Sequence, residues 1–393
     1  MNVLFLSWAY PKKNTPYLGI WAHQQALALQ TQGVEVEVVN SVPYVPSIAG
    51  ALSPKLRDYS LIPAQEHYDG VKVHHPKFLR TKPNSLIDKL MFRLIGAQST
   101  LTSRALARAL EMRRFHVVHA HNLFPDGAVA YRLFRKYGIP YVLTLHDVDR
   151  FNSFPDRGTA RALAEAIVAH AKKVLVVSTR VQRNMSSQVP KQRLEVLYNT
   201  YWTEAKAAVK QRQNKIVTIA SLIDRKGVHY LLRAFRRVVD KHGKYELVII
   251  GNGREMSALS KLADELGIAD KVTFTGTLEH AKAMDKLSEA SIFCLPSWDE
   301  AFGVAYAEAM SFGIPVVGCK GEGIADIVTS GLNGMLVEPR NEEQLAEALF
   351  ELIEQPAMAE RIGLRGREAV QQLQPDVFAA RLVDIYEDAL CRA

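Results

Sequence analysis

The sequence predicts an α/β protein built from two doubly wound, parallel-sheet domains that face each other across a cleft. Three observations predict it. Short apolar runs alternate with helical patterns, which implies parallel strands joined by crossover helices. The alternation stops over a polar stretch at 200–215 and then restarts, so it comes in two blocks. The chain has 393 residues, which suits two or three domains at roughly 150 residues each.

In the first block the strands read as "VLFLSW" (3–8), "VEVEVVN" (34–40), "HVVHAH" (116–121), "YVLTLHD" (141–147), "KVLVVS" (173–178) and "LEVLYN" (194–199). Helix patterns lie between several of them, such as "HQQALALQTQG", which Gly33 ends. The segment "TYWTEAKAAVKQRQNK" (200–215) lacks strand signals and reads as a linker. The second block runs "IVTIAS" (216–221), "YELVIIGNG" (245–253), "KVTFTG" (271–276), "ASIFCLPS" (290–297), "IPVVGCKG" (314–321) and "NGMLVEP" (333–339). From "NEEQLAEALFELIEQ" onward the pattern is helical.

Composition excludes several classes. With 48% hydrophobic and 23% charged residues, a sizeable core is expected and disorder is not. Cys294, Cys319 and Cys391 have no paired spacing, which argues against a disulfide framework and a zinc site and favours a reducing compartment. The opening "MNVLFLSWAYPKK" lacks a positive stretch before its apolar run, so it reads as a first strand and not a signal peptide. No run approaches the roughly 18 apolar residues of a spanning helix. The expectation is a soluble cytoplasmic protein, or one attached at the inner face of a membrane.

The net charge of +8 is unevenly spread. Lys77, Arg80, Lys82, Lys89, Arg93, Arg104, Arg108, Arg113 and Arg114 crowd residues 77–114, opposed only by Asp88 and Glu111, with Leu90, Met91, Phe92, Leu94 and Ile95 interleaved. Two readings stay open. One is a solvated amphipathic helix pair; the other is a surface that docks on anionic lipid. Nucleic acid is disfavoured, because no binding motif accompanies the charge.

Ligands of open parallel sheets bind beyond the carboxyl ends of strands. Those ends carry "AYPKKNTPYLGIW" with Gly19, His121–Asn122, His146–Asp147, "SLIDRKG", Gly251–Asn252–Gly253 and "DEAFGVAYAEAM" (299–310). In "SLIDRKGVHYLLRAF", Arg225 and Lys226 precede a helix start marked by Gly227; cations with free helix N–H groups favour a phosphate. "GNGREM" is G-x-G without a third glycine, a poor dinucleotide fingerprint. It fits a tight turn or a close backbone approach to a ligand equally well. In 299–310, a helix beginning near Gly303 leaves Glu300 on the entering loop and Glu308 about a turn and a half in. Gly303 lets the N–H groups of the first turn meet an anion closely. Carboxylates only accept, so they suit the hydroxyl donors of a sugar or ribose. Glu300 alone would also fit as a first-turn acid complementing the helix dipole.

These residues resemble those of retaining GT-B glycosyltransferases of family four. The E-x7-E pattern, Glu300 to Glu308, has "FGV" after the first acid and "EAMSFGIPVVG" from the second. "VHAHN", "YVLTLHDVD", "SLIDRKG", "LVIIGNG" and "VTFTG" occur in the family's order, and the resemblance covers nearly the whole chain. It is nearest to members that assemble cell-surface polysaccharides and teichuronic-acid-type polymers.

The resemblance implies a GT-B fold of two Rossmann-like domains. Residues 1–200 would bind the acceptor and 201–370 the nucleotide sugar, and 371–393 would form a helix crossing back to the N-terminal domain. Glu308 would hold the ribose hydroxyls and Glu300 the transferred hexose. Phe302, Gly303 and Val304 would offer backbone contacts to donor sugar and phosphates. Lys226 would bind the diphosphate, and His146 would lie near the transferred sugar. Gly19 would mark the loop meeting diphosphate and acceptor, Gly251 would join the donor site, and His121, Asn122 and Asp147 would lie on the acceptor side. No cofactor and no metal are implied by the resemblance. Ser221 and Arg225 would line the donor site; the chain departs from the family at Ala220–Ser221, where Gly-Arg is usual, which leaves Arg225 as the candidate substitute for the missing arginine. It also has a single Gly19 followed by Ile20 in place of a double glycine, and "YNTYW" in place of Asn-Gly-Val-Asp.

The implied reaction moves a hexose from a nucleotide-diphosphate sugar to a hydroxyl of a glycan or lipid-linked acceptor, with retention. Glu300 is open to two roles, nucleophile or positioner of sugar hydroxyls. Closure of the domains over the donor is expected, with 200–215 and the C-terminal helical region as hinges. Three rivals share the architecture or its sheets: a nucleotide-sugar epimerase, an NAD-dependent oxidoreductase, and a non-catalytic glycan-binding partner subunit. The E-x7-E context disfavours the first, the incomplete G-x-G the second and the complete motifs the third.

Overall fold

The runs Val117–His121 and Tyr141–Leu145 are buried at every position. Parallel strands covered on both faces require that. The computed structural model describes residues 1–12, 15, 18–46, 48, 53–78, 94–146, 158–201 and 212–391. The chain divides into two units, Met1–Tyr198 with Pro375–Ala393, and Asn199–Gln374.

The first unit holds β1 (Asn2–Leu6), β2 (Glu35–Val39), β3 (Val42–Pro43), β4 (Gln65–Tyr68), β5 (Val71–His74), β6 (Lys77–Phe78), β7 (Val117–His121), β8 (Tyr141–Leu145), β9 (Lys173–Val176) and β10 (Leu194–Val196). Eight of these form one sheet in the order β10-β9-β8-β7-β1-β2-β5-β4, and β3 pairs with β6 in a separate ribbon. Seven strands are parallel, and β4 is an antiparallel edge strand on β5. The turn between β4 and β5 is Asp69–Gly70, with φ of 44° and 81°. A two-residue hairpin turn with both φ positive is the I′ type that Asp-Gly favours. This hairpin was absent from the strands read off the sequence, although "YDGV" carries its signal. Helix Pro375–Cys391 covers the sheet through Phe378, Leu382, Ile385 and Tyr386, which join a core of Phe5, Val36, Val38 and Val73.

The second unit holds β11 (Gln213–Ile219), β12 (Glu246–Ile250), β13 (Val272–Gly276), β14 (Ala290–Cys294), β15 (Val316–Cys319) and β16 (Met335–Val337), in the order β13-β12-β11-β14-β15-β16. All of its pairs are parallel. Counted within the unit the order is 3-2-1-4-5-6, with a switch point between β11 and β14. The first unit has the same feature between β1 and β7, the point where its order reverses. One boundary differs from the sequence reading: β11 begins at Gln213, inside the stretch taken as linker. Residues 202–211 of that stretch lie outside the described residues, as do 79–93 of the basic segment and Asp147.

Candidate active site

The carboxyl ends of β11 and β14 lie side by side, and their loops interlock. The turn Asp224–Lys226 leads into Gly227, whose φ is 69°. A Cβ there would sit 2.2 Å from the Pro296 carbonyl oxygen, so only glycine lets the two loops approach. The Trp298 N–H donates to the Arg225 carbonyl at 2.9 Å. Arg225 Nη1 donates to the Asp299 carbonyl at 2.8 Å. The Lys226 ammonium donates to Glu300 Oε2. Lys226, Arg225 and Glu300 are therefore brought together at the switch point.

Glu300 is 8% exposed and Glu308 is 5% exposed. Burying an acid is costly unless it is paired, and both have partners. Burial alone would raise the Glu300 pKa. The Lys226 ammonium and its hydrogen bond outweigh that, with help from Arg225 and Ser297, and hold the carboxyl below its usual range. Glu308 lies on helix Val304–Ser311, and its Oε1 meets His280 Nε2 at 2.8 Å. Gly303 caps that helix with φ of 83°. A Cβ at 303 would lie 2.6 Å from the Tyr306 ring. Phe302 is buried, so of this residue chiefly the main chain is left for a ligand, while Gly303 and Val304 are half-buried.

Ser221 is exposed just past β11. The glycines of "GNG" serve the main chain beside it. The Gly251 N–H donates to Gly276 O at 2.9 Å, and a Cβ on Gly251 would sit 1.9 Å from Ala220 O. That geometry is the tight turn that the sequence left as one of two readings.

In the first unit, β7 and β8 end in a stack of imidazoles. His119 and His121 have ring centroids 4.2 Å apart, and His121 and His146 5.5 Å apart. His121 Nδ1 and His146 Nε2 share a hydrogen bond of 3.2 Å. The Trp21 ring lies 3.7 Å from that of His146, on the helix that Gly19 starts. Gly19 cannot carry a Cβ, because Ala9 O would be 2.0 Å away. His119 is fixed by the Tyr386 hydroxyl at 2.6 Å and the Thr144 hydroxyl at 2.7 Å. Burial pushes His146 down to about 3. Burial, with a smaller push from His146, takes His119 down to about 3. His121 is held well below its ordinary value by burial and then by its two histidine neighbours. All three are neutral at pH 7. Asn122 adopts φ of 97° and its N–H donates to Thr144 O at 2.8 Å.

The sequence reading missed His280, Glu322, Trp21 and His119. Glu322 Oε2 accepts the Glu300 N–H at 2.8 Å. Glu322 and His280 each follow a strand end, so the rule that ligands gather there was enough to mark them. Trp21 closes the strand-end stretch "AYPKKNTPYLGIW" but reads as a helix aromatic, and His119, inside a strand, reads as core. Among the described residues, no group of three or more His, Cys, Asp or Glu is placed to hold a metal ion.

Two family models match the chain. "Glycosyl transferases group 1" covers residues 202–369, and "Glycosyl transferase 4-like domain" covers residues 19–200. The chain is 26% identical over 368 residues to a putative teichuronic acid biosynthesis glycosyltransferase, TuaC, of Bacillus subtilis, covering 89% of this chain and 88% of that one. It is 26% identical over 402 residues to an MMP alpha-(1->4)-mannosyltransferase of Mycolicibacterium hassiacum, covering 95% of each. Among solved structures it resembles a sucrose-phosphate synthase from Thermosynechococcus elongatus, with TM-score 0.77, 19% identity and full coverage of both chains. It also resembles Anabaena HepE in complex with UDP and glucose, with TM-score 0.72, 18% identity and 98% coverage of each.

Proposed function

The chain belongs to the group 1 glycosyl transferases and has the GT-B fold, and from that premise we propose that it is a metal-independent, retaining hexosyltransferase. It takes a hexose from a nucleotide-diphosphate sugar and transfers it to a hydroxyl of a glycan or lipid-linked acceptor. The observation that carries the reading is the convergence of Lys226, Arg225 and an ionised Glu300 where β11 and β14 end.

Glu308 takes the ribose hydroxyls, with His280 keeping one of its oxygens oriented. The donor diphosphate gives Lys226 a second anion, which frees Glu300 oxygens for hexose hydroxyls. As the C1–O bond to the diphosphate breaks, Lys226, Arg225 and the first-turn N–H groups after Gly303 neutralise the departing oxygens. These charges do the work for which other transferases use a metal. The acceptor oxygen bonds to C1 from the leaving-group face, and its proton passes to the β-phosphate oxygen. Glu300 positions the sugar and forms no bond to it. A trapped glycosyl adduct on Glu300 would overturn that role. In the first unit, His146 offers substrate a neutral imidazole, a hydrogen-bonding group and not a charge. His121 and Asn122 serve the acceptor.

The protein also contacts anionic membrane through 77–114. Helix Ile95–Ala109 supports this: it carries Arg104 and Arg108, contains no acid, and exposes Leu101, with Leu94 exposed just before it.

The reading is tested by thermal shift of wild type and Glu308→Ala with UDP, GDP, ADP and their sugars. A bound ligand raises the midpoint with the logarithm of its concentration over Kd. One nucleotide is expected to stabilise wild type and not Glu308→Ala. A folded wild type that no nucleotide shifts would remove the reading.

A further inference from the structure

The first acid of the E-x7-E pattern is held by residues outside it, and one of these is a third acid. Glu322 follows β15 and the turn at Gly321. Its Oε2 accepts the Glu300 N–H at 2.8 Å. The next residue, Gly323, donates its N–H to the Glu300 carbonyl at 3.0 Å. Both main-chain polar groups of Glu300 are thus held by two consecutive residues. The grip is close: a Cβ on Gly323 would lie 2.0 Å from Ala301 O and 2.7 Å from Phe302 Cα.

Two further facts make the grip more than a turn. Asp299, immediately before Glu300, has φ of 54°, a backbone conformation that Asp visits but does not favour. The loop therefore needs restraint from outside to keep its shape. Glu322 is itself only 9% exposed, and an acid is poorly placed there unless its bonds are strong. A carboxylate accepting a backbone N–H makes a charge-assisted bond, roughly twice as strong as a neutral one.

We infer that Glu322 is a positioning residue that fixes the Glu300 peptide, so that the Glu300 carboxylate is presented to Lys226 and to the transferred sugar. This rests on the reading that Glu300 contacts that sugar. Glu322 acts through the main chain of Glu300, and the E-x7-E pattern does not contain it. Displacing a positioned group by about 1 Å is enough to cost about 100-fold in rate.

The test uses the full chain as wild type, Glu322→Ala and Glu322→Gln, with UDP, GDP, UDP-glucose and GDP-mannose as probes. Nucleotide binding is read by thermal shift, and turnover by release of nucleoside diphosphate. Glu322→Ala is expected to bind the preferred nucleotide as wild type does, to lose about 100-fold in kcat, and to change KM little. Glu322→Gln keeps an oxygen acceptor for the Glu300 N–H and is expected to recover to within about tenfold of wild type. Glu322→Ala with wild-type kcat would overturn the inference. A folded Glu322→Gln as slow as, or slower than, that predicted 100-fold loss would also overturn it, and this variant decides the matter where the alanine variant does not fold. Failure of the wild type to bind any of the four probes is a different result, since it removes the functional reading itself.

Discussion

Glu300 and Glu308 were legible as residues because two acids stood in an otherwise apolar run. Their partners were not. Lys226 is 74 residues from Glu300, and His280 is 28 from Glu308. Spacing along a chain cannot reveal contacts made between strand ends. The Lys226–Glu300 pair also supplies a stability test at this scale. Both side chains are mostly buried, at 14% and 11% exposure. Removing one partner of such a pair leaves an uncompensated charge, at about 3–5 kcal/mol. Lys226→Met is therefore expected to cost about that much in denaturant unfolding. The double variant Lys226→Met/Glu300→Gln should recover most of it, since no charge is then stranded. Losses that simply add would mean that the pair is not coupled.

At the scale of elements, alternation located the strands of both main sheets that carry the sites, and missed the β4–β5 hairpin. The short strands Gln65–Tyr68 and Val71–His74 contain His67, Lys72 and His74, so they read as polar surface. Their Asp69–Gly70 turn was the available signal. Arg212 shows the opposite case, with no local signal at all. Its guanidinium donates to the carbonyls of Ser288, Ala290 and Phe312 at 3.3, 3.1 and 2.6 Å, tying the start of β11 to the ends of two helices and to the first residue of β14. Those partners are 76, 78 and 100 residues away. Helix Ile95–Ala109 carries the membrane prediction. Each basic residue near an anionic surface contributes about 1 kcal/mol. Arg104→Glu/Arg108→Glu should weaken flotation with phosphatidylglycerol vesicles by at least about 30-fold, and wild-type binding should fade as salt rises. Wild type that stays off such vesicles at low salt would end the membrane proposal. Among the described residues, no helix is long and apolar enough to cross a membrane.

At the scale of the whole molecule, buried histidines make stability depend on pH. His119 and His146 have folded pKa values of about 3, and His121 is also strongly lowered. In an unfolded chain each would protonate near pH 6.5. Below that pH the unfolded state binds more protons, so stability is lost as pH falls. The slope is about 1.4 kcal/mol per pH unit for each histidine. Carboxylates with lowered pKa, such as Glu37 and Glu300, add to the loss only below their own range, further down. Between about pH 6.5 and 5 the histidines therefore dominate. Denaturant unfolding at these two pH values should show a smaller loss for His119→Gln than for wild type; equal losses would mean that His119 is not held neutral. The sequence by itself determined the secondary structure, the doubling of the sheet pattern and the strand ends where chemistry gathers, because periodicity and turn residues are local properties. Only the tertiary structure decided which strands became neighbours, which partner each buried acid took, and which residues the last helix packs against. The pattern of Pro375–Cys391 makes a helix with an apolar face, and its Phe378, Leu382 and Tyr386 would suit many sheets. Its place on the first unit, with the Tyr386 hydroxyl on His119, is set by packing between residues 267 apart, where shape and hydrogen-bond geometry choose the partner and sequence distance does not.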